Sequence, residues 1–271
     1  MSKVAAIQMV SGTTVSSNLK QAERLLREAA AEGARLLLLP ENFALFNSQN
    51  LYELAKDEEK TGSVFHWLSE LARELAVWIF AGSFPVLTAT PQSTRVRSSL
   101  VVFSDKGEQI ARYDKRHLFD VDVSDGQGSY RESHFVEPGD HLVVVDTPLG
   151  GVGLSICYDL RFPHHFWALR ERGADIIVVP SAFTRVTGEA HWEVLLRARA
   201  IETQCYIIGA NQGGRHDEAR ETSGQSMIVG PWGEVASRLT RGEGVAVAEI
   251  DQELLSCIRQ KMPVLQHRRS V

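Results

Sequence analysis

The sequence predicts an α/β fold, a four-layer α-β-β-α sandwich with an internal pseudo-twofold repeat. Two observations carry this. Short, continuous apolar runs alternate with stretches whose apolar residues return at helical spacing, the pattern of buried strands joined by helices. One segment also echoes another: Gly33-Ala34-Arg35, four leucines and Pro40-Glu41-Asn42-Phe43 match Gly173-Ala174-Asp175, Ile176 to Val179 and Pro180-Ser181-Ala182-Phe183, at a constant offset of 140 residues. That period is far too long for a solenoid. It fits two similar halves with helices outside and two sheets inside. No linker-like break separates them, so residues 1–271 are read as a single domain.

Taken in order, Val4–Val10 reads as the first strand. Asn18, with Gln21 three residues on, has the form of a helix N-cap. Leu19, Ala22, Leu25, Leu26 and Ala29 then recur at helical spacing, and Gly33 is a natural stop. Leu36–Leu39 is a strand buried on both faces. A helix over about Val64–Leu75 precedes a strand over Val77–Phe84. Ser99–Phe103 and Gln109–Tyr113, joined through Asp105-Lys106-Gly107, form an antiparallel hairpin. Residues 114–140 are irregular and Gly-rich, a length at which loops in compact domains are usually functional or mobile. The second half follows the same recipe. Gly153–Cys157 is a strand, Pro163–Arg172 a helix, Asp175–Val179 a strand and Glu189–Gln204 a helix. Strands follow near Cys205–Ala210, Ser226–Val229 and Val245–Ile250, and Asp251 caps a last helix, Glu253–Lys261.

At 271 residues, 44% hydrophobic and 23% charged, the chain can bury a substantial core. Its 34 acidic against 29 basic residues, net −5, argue against a nucleic-acid or anionic-membrane footprint. Small anionic ligands held by local arginines stay open. Cys157, Cys205 and Cys257 lie far apart with no C-x-x-C, and His164 and His165 are merely adjacent, so no zinc site is expected. The N-terminal segment meets Gln8 too soon for a signal peptide. No apolar run reaches the roughly 18 residues of a membrane helix. The expectation is a reduced, cytoplasmic, metal-free protein without a membrane partner.

Ligands of α/β sheets bind beyond the carboxyl ends of strands, and three reactive side chains occupy such places. Glu41 follows the leucine run, Lys115 follows the strand ending at Tyr113, and Cys157 ends its own strand. Singly, each has a plainer reading: a solvated or capping carboxylate, a charged loop, a small buried hydrophobe. Together they suit one chemistry. A nucleophilic cysteine needs a base or a positive neighbour. A desolvated glutamate serves as that base. A lysine ammonium, with the backbone N–H of Tyr158, stabilises the oxyanion formed by attack on a carbonyl. Competing motifs fail: Gly153-x-Ser155-x-Cys157 lacks the last glycine of a nucleophile elbow, and G-x-G-x-x-G, the P-loop and H-E-x-x-H are absent.

Leu38-Leu39-Pro40-Glu41-Asn42-Phe43, Tyr113-Asp114-Lys115-Arg116-His117-Leu118-Phe119 and the segment Gly153 to Pro163 resemble the nitrilase superfamily of carbon–nitrogen hydrolases. The likeness runs from Ala5 to Arg269. It implies Glu41 as base, Lys115 as the oxyanion lysine, Cys157 as nucleophile and Glu132 as a second glutamate orienting lysine and substrate. It also implies a cysteinyl thioester intermediate and no cofactor. His191 to Tyr206 and Pro263 to Arg269 are similar to the deaminated glutathione amidase branch, and less so to the ω-amidases. Thr184 to Glu189 departs from that pattern, with Arg185 an added charge and Glu189 in place of a proline.

The implied substrate is a small anionic amide, deaminated glutathione, split to 2-oxoglutarate and cysteinylglycine. The alternatives are an ω-amidase acting on 2-oxoglutaramate or another small amide, a non-catalytic scaffold, and a redox role for Cys157. No resolving cysteine lies near in sequence for the last. Arg161 and Arg185 are candidates for the substrate carboxylates. The competing readings are an ion pair with Asp159 or a helix-terminus contact for Arg161 and plain surface exposure for Arg185. Phe119 and Tyr158 are expected at the pocket, and Phe183 is weighed between pocket wall and core. The resemblance further implies a homodimer paired through helices after the nucleophile.

Overall fold

Strands and helices alternate along the chain in a computed structural model that describes residues 2–90, 92–125 and 128–269. The first half comprises β1 (Ser2–Gln8), α1 (Val15–Ala31), β2 (Ala34–Leu38), α2 (Leu51–Thr61), α3 (Ser63–Leu75), β3 (Trp78–Phe80), β4 (Phe84–Leu87), β5 (Val96–Phe103) and β6 (Gln109–Asp114). A short pair, β7 (Asp120–Asp122) and β8 (Ser129–Arg131), follows. The second half comprises β9 (Val144–Thr147), β10 (Gly150–Leu154), α4 (Pro163–Glu171), β11 (Ile176–Ser181), α5 (Arg185–Thr203), β12 (Tyr206–Asn211), β13 (Met227–Val229), β14 (Val235–Arg238), β15 (Gly244–Ile250), α6 (Gln252–Lys261) and α7 (Val264–His267).

Two sheets result. One runs β15-β1-β2-β3-β5-β4 with β6 alongside β5, and the other runs β14-β13-β12-β11-β10-β9. Each has a parallel trio, β1, β2 and β3 in the first and β10, β11 and β12 in the second. The two echoing segments occupy matching places: Gly33 and Gly173 both adopt left-handed φ (89° and 95°) between a helix and the middle strand of a trio. Alternation along β1 and β2 explains the unbroken leucine run. Ala5, Ile7, Leu37 and Leu39 cluster with Leu25 and Leu26 of α1 and Leu68 and Leu71 of α3. Val4, Ala6, Leu36 and Leu38 join Leu154, Val178 and Ile208 of the other sheet. Both faces are buried, so neither position tolerates a polar residue.

Several boundaries differ from the sequence reading, each for a local reason. Helix α1 starts earlier, at Val15, and Asn18 is not its N-cap. The Asn18 amide turns back to accept the Gly12 N–H (2.8 Å) and to donate to Gly12 O and Ala44 O. The strand expected over Val77–Phe84 is two strands. It breaks at Gly82 (φ 52°), where an added Cβ would sit 2.0 Å from Pro40 O. Pro180 lies inside β11, paired with Ala210, and does not end the strand. Helix α5 starts four residues before the expected Glu189, with the Thr184 hydroxyl accepting from the Thr187 N–H. Asp251 caps α6 as expected, accepting from Glu253 and Leu254 N–H. Helix α2 and strand β14 were not anticipated. Within 114–140, Gly126 and Gln127 lie outside the described residues. Among the described residues no helix is long and apolar enough to cross a membrane.

Candidate active site

Glu41 stands just past β2, and its backbone is held from three sides. Leu39 N–H donates to Phe80 O, Asn42 N–H to Ser83 Oγ, and Gln212 Nε2 to Glu41 O. Asn42 takes a left-handed φ of 57° and turns the chain away, which leaves the Glu41 carboxylate buried at the strand end.

Lys115 follows β6, its N–H donating to Ser98 O and its carbonyl accepting from Gly139 N–H. The side chain is 1% exposed. Its Nζ donates to Glu41 Oε1 (2.7 Å) and to both carboxylate oxygens of Glu132 (2.9 Å each). Glu132 opens a short turn, Glu132–His134, and also accepts the Phe119 N–H (2.7 Å). Burial disfavours the Lys115 charge, but Glu132 and Glu41 outweigh it and hold the ammonium well above its usual range. Burial raises Glu132, with Lys115 opposing and Glu41 reinforcing the rise.

Cys157 does not end its strand. β10 stops at Leu154, and Cys157 sits at φ 47°, opening a 3₁₀ turn over Cys157–Arg161. A non-glycine residue in that region is strained. The turn is anchored by the fully buried Asp159, which accepts the Ile156 N–H (2.9 Å), the Tyr113 hydroxyl (2.6 Å) and the His117 N–H (3.1 Å), with His117 Nδ1 at 2.6 Å. Burial works against the Asp159 charge, yet His117, His165 and Tyr113 keep its carboxyl below the usual range. Burial and the neighbouring Glu41 carboxylate push the Cys157 thiol well up, against the pull of Lys115.

His117, Asp159 and His165 bring ligand-type atoms within 4.8 Å of one another. The Asp159 oxygens already meet four hydrogen-bonding groups, which a cation would have to displace.

One cavity contains Glu41, Lys115, Glu132 and Cys157, walled by Phe119, Tyr158 and Phe183 and bordered by Arg161. Phe183 therefore has both weighed roles, since it also packs on Trp192. Arg161 makes no ion pair with Asp159; its guanidinium meets His191 Nδ1 (3.2 Å) and lies against the rings of Tyr158 and Phe183. Arg185 is not among the lining residues. As the first residue of α5 it is half-exposed and paired with Glu221 (2.9 Å) and Glu189 (3.6 Å). Cys205 is buried core, donating to Ala174 O, and Cys257 is half-buried on α6. The sequence reading missed Phe46, Tyr130 and Arg220, which also line the cavity. The run Arg215 to Glu221 is polar apart from Ala219 and reads as solvated surface, so nothing local marks Arg220.

Comparison with known proteins gives the family. The carbon–nitrogen hydrolase family model matches residues 3–260. A deaminated glutathione amidase of Yersinia enterocolitica is 46% identical over 268 residues, covering 99% of this chain and 93% of that protein. Its counterpart in Mus musculus is 45% identical, covering 98% of this chain and 83% of that protein. Among solved structures, the C. elegans NitFhit protein superposes with TM-score 0.90 at 36% identity, over 99% of this chain and 65% of that one. Saccharomyces cerevisiae Nit3, of the nitrilase superfamily, gives 0.88 at 28% identity over 99% and 97% of the two chains.

Proposed function

The chain belongs to the carbon–nitrogen hydrolase family, and from that premise we propose a thiol amidase that splits deaminated glutathione into 2-oxoglutarate and cysteinylglycine. The observation that carries the proposal is the buried array in which Lys115 bridges Glu41 and Glu132 in one cavity with Cys157. Glu41 takes the Cys157 proton, and the thiolate attacks the amide carbon. The ammonium of Lys115 and the N–H of Tyr158 stabilise the oxyanion. Tyr158 is suited to this because the first N–H groups of a turn have no acceptor within it. Protonated Glu41 passes its proton to the departing amine. Water, activated by the same carboxylate, then cleaves the thioester and restores the thiol.

A thiol whose ionisation is disfavoured by burial and by Glu41 suits this order. The attacking form arises only as Glu41 takes the proton, which protects the nucleophile between turnovers. Glu132 steadies Lys115, so that Glu41 is not its sole counter-ion. The substrate is anionic, and Arg161, the last residue of the turn that Cys157 opens and a residue bordering the cavity, is suited to its 2-oxo acid end. The names of the relatives favour this substrate over 2-oxoglutaramate.

Two further readings belong to the same proposal. Val194 and Ile201 are exposed on one side of α5, with Gly233, the residue after exposed Trp232, close to Ile201, an apolar face suited to a homodimer. Light scattering of the purified protein at twice the mass of one chain supports the dimer, and a single-chain mass refutes it. Three unpaired cysteines, one the nucleophile, suit a reducing, cytoplasmic compartment.

The decisive assay follows 2-oxoglutarate release from deaminated glutathione by the wild type and by Cys157→Ala. Turnover by the wild type alone supports nucleophile and substrate together. Faster turnover of 2-oxoglutaramate moves the assignment to the ω-amidases, and no turnover of any amide moves it to a scaffold.

A further inference from the structure

Three rings stand in a row along the cavity. Tyr130 and Phe119 are 5.1 Å apart between centroids, and Phe119 and Tyr158 are 5.2 Å apart. A guanidinium lies at each end of the row, Arg161 at 5.9 Å from the Tyr158 ring and Arg220 at 5.5 Å from the Tyr130 ring. Arg161 is at the end next to Cys157, and Arg220 is at the other. Arg220 lies 4.5 Å over Phe46, whose other neighbour is the stacked ring of His216 at 3.7 Å.

The charge of Arg220 is unspent among the described residues. Among the described residues no carboxylate oxygen lies within ion-pair distance of its guanidinium. Its Nε is buried without an acceptor. Asp217 takes its backbone N–H (2.7 Å) and lends only a distant charge. Arg131, the other basic residue at that end, is already committed to Asp122 and to two carbonyls. A buried donor left unmatched costs stability, so an arginine kept in this state calls for an acceptor from outside the chain. His216, stacked behind Phe46, does not supply positive charge near neutrality, since burial lowers it to about 4. Among the described residues Arg220 is the free cation of that end.

We infer that Arg220, flanked by Phe46 and Tyr130, forms a subsite for a second carboxylate, the one carried by the leaving amine. This rests on the amidase reading above and extends it to a substrate that is anionic on both sides of the scissile amide. Arg161 takes the acyl-side carboxylate close to Cys157, the aromatic row carries the middle of the substrate, and Arg220 takes the far end. An amide with ammonia as its leaving group has nothing to place there, so the subsite separates peptide-like substrates from simple ω-amides.

The test is a binding cycle in a protein that cannot turn over. Cys157→Ser and Cys157→Ser/Arg220→Gln are titrated by calorimetry with deaminated glutathione and with its analogue whose glycine carboxylate is a carboxamide. Charge-assisted hydrogen bonds of this kind predict that Cys157→Ser prefers the carboxylate by roughly tenfold or more. Arg220→Gln removes that preference and leaves carboxamide binding within about twofold. A preference that survives Arg220→Gln overturns the subsite, as does equal weakening of both ligands, which marks a structural role. Wild-type turnover of deaminated glutathione is measured in parallel and reports on the amidase reading alone. Its failure with the binding preference intact discredits the reaction and not the subsite.

Discussion

The Tyr113 hydroxyl donates to Asp159 at 2.6 Å, joining the strand that leads into Lys115 to the turn that carries Cys157. Tyr113 precedes Lys115 by two residues and Asp159 follows Cys157 by two. His117, two residues beyond Lys115, binds the same carboxylate through its N–H and its ring. Three contacts therefore set the lysine segment and the nucleophile turn in register, 42 to 46 positions apart in the chain. Tyr113→Phe is expected to lower stability by about 1.5–3 kcal/mol, the range for a hydrogen bond to a charged group. It is also expected to lower kcat, because small misplacements of reacting groups are costly. Urea unfolding together with steady-state kinetics checks both, and unchanged kcat at reduced stability removes the positioning role.

Glu41→Gln keeps the shape of the side chain and loses the proton acceptor. The expected fall in kcat is about 10²–10⁴, the usual worth of a general base. Chromatographic measurement of product formation decides it, and a variant within threefold of wild type excludes Glu41 as the base.

Lys115 is the counter-ion of two buried carboxylates. Lys115→Met leaves both without it, and breaking a buried pair in this way is expected to cost about 3–5 kcal/mol. Adding Glu132→Gln removes one of the stranded charges, so the double variant should be more stable than Lys115→Met alone. Denaturant midpoints of the three proteins provide the comparison, and no recovery in the double variant refutes the account.

Cys157 holds a left-handed backbone that glycine adopts freely. Cys157→Gly is therefore expected to be as stable as Cys157→Ala or more so, by up to about 1 kcal/mol, although alanine keeps the Cβ. Thermal melts of the two variants settle the sign. A clearly less stable glycine variant means that the turn stores no strain.

Acid should unfold the protein through two histidines. Burial lowers His165, against the pull of Asp159, and lowers His216, each from 6.5 to about 4. Between those values the unfolded chain binds protons that the folded chain refuses. Stability is thus complete above pH 6.5 and declines as the pH falls toward 4. At pH 5 the loss is about 2 kcal/mol for each histidine. Urea midpoints at pH 7 and pH 5 measure it, and His216→Asn should shrink the difference between them. A difference of undiminished size in that variant rules out His216 as a contributor.

Local periodicity made the architecture legible. A strand buried on both faces has to be apolar at every position, so Leu36–Leu39 and Ile176–Val179 reveal sheet interiors without any knowledge of their partners. Glu41, Lys115 and Cys157 stand out in the sequence because each lies in a short motif at or just past the end of a strand, whereas Glu132 is marked only by the family resemblance. Arg185 and Arg220 show where such reading stops. Both are arginines in polar surroundings, and only long-range packing decides that one pairs with Glu221 while the other reaches the cavity. The same holds for Asn18, whose amide chose the loops at Gly12 and Ala44 over the helix end. It holds too for the left-handed Cys157, which no glycine announced. The order and type of the elements, and the chemistry at the strand ends, are determined by spacing along the chain. The pairing of charges, the left-handed backbone of Cys157 and the far wall of the cavity are decided by contacts between different segments of the chain, as in Lys115 with Glu41 or Arg220 with Phe46 and Tyr130, which no local pattern encodes.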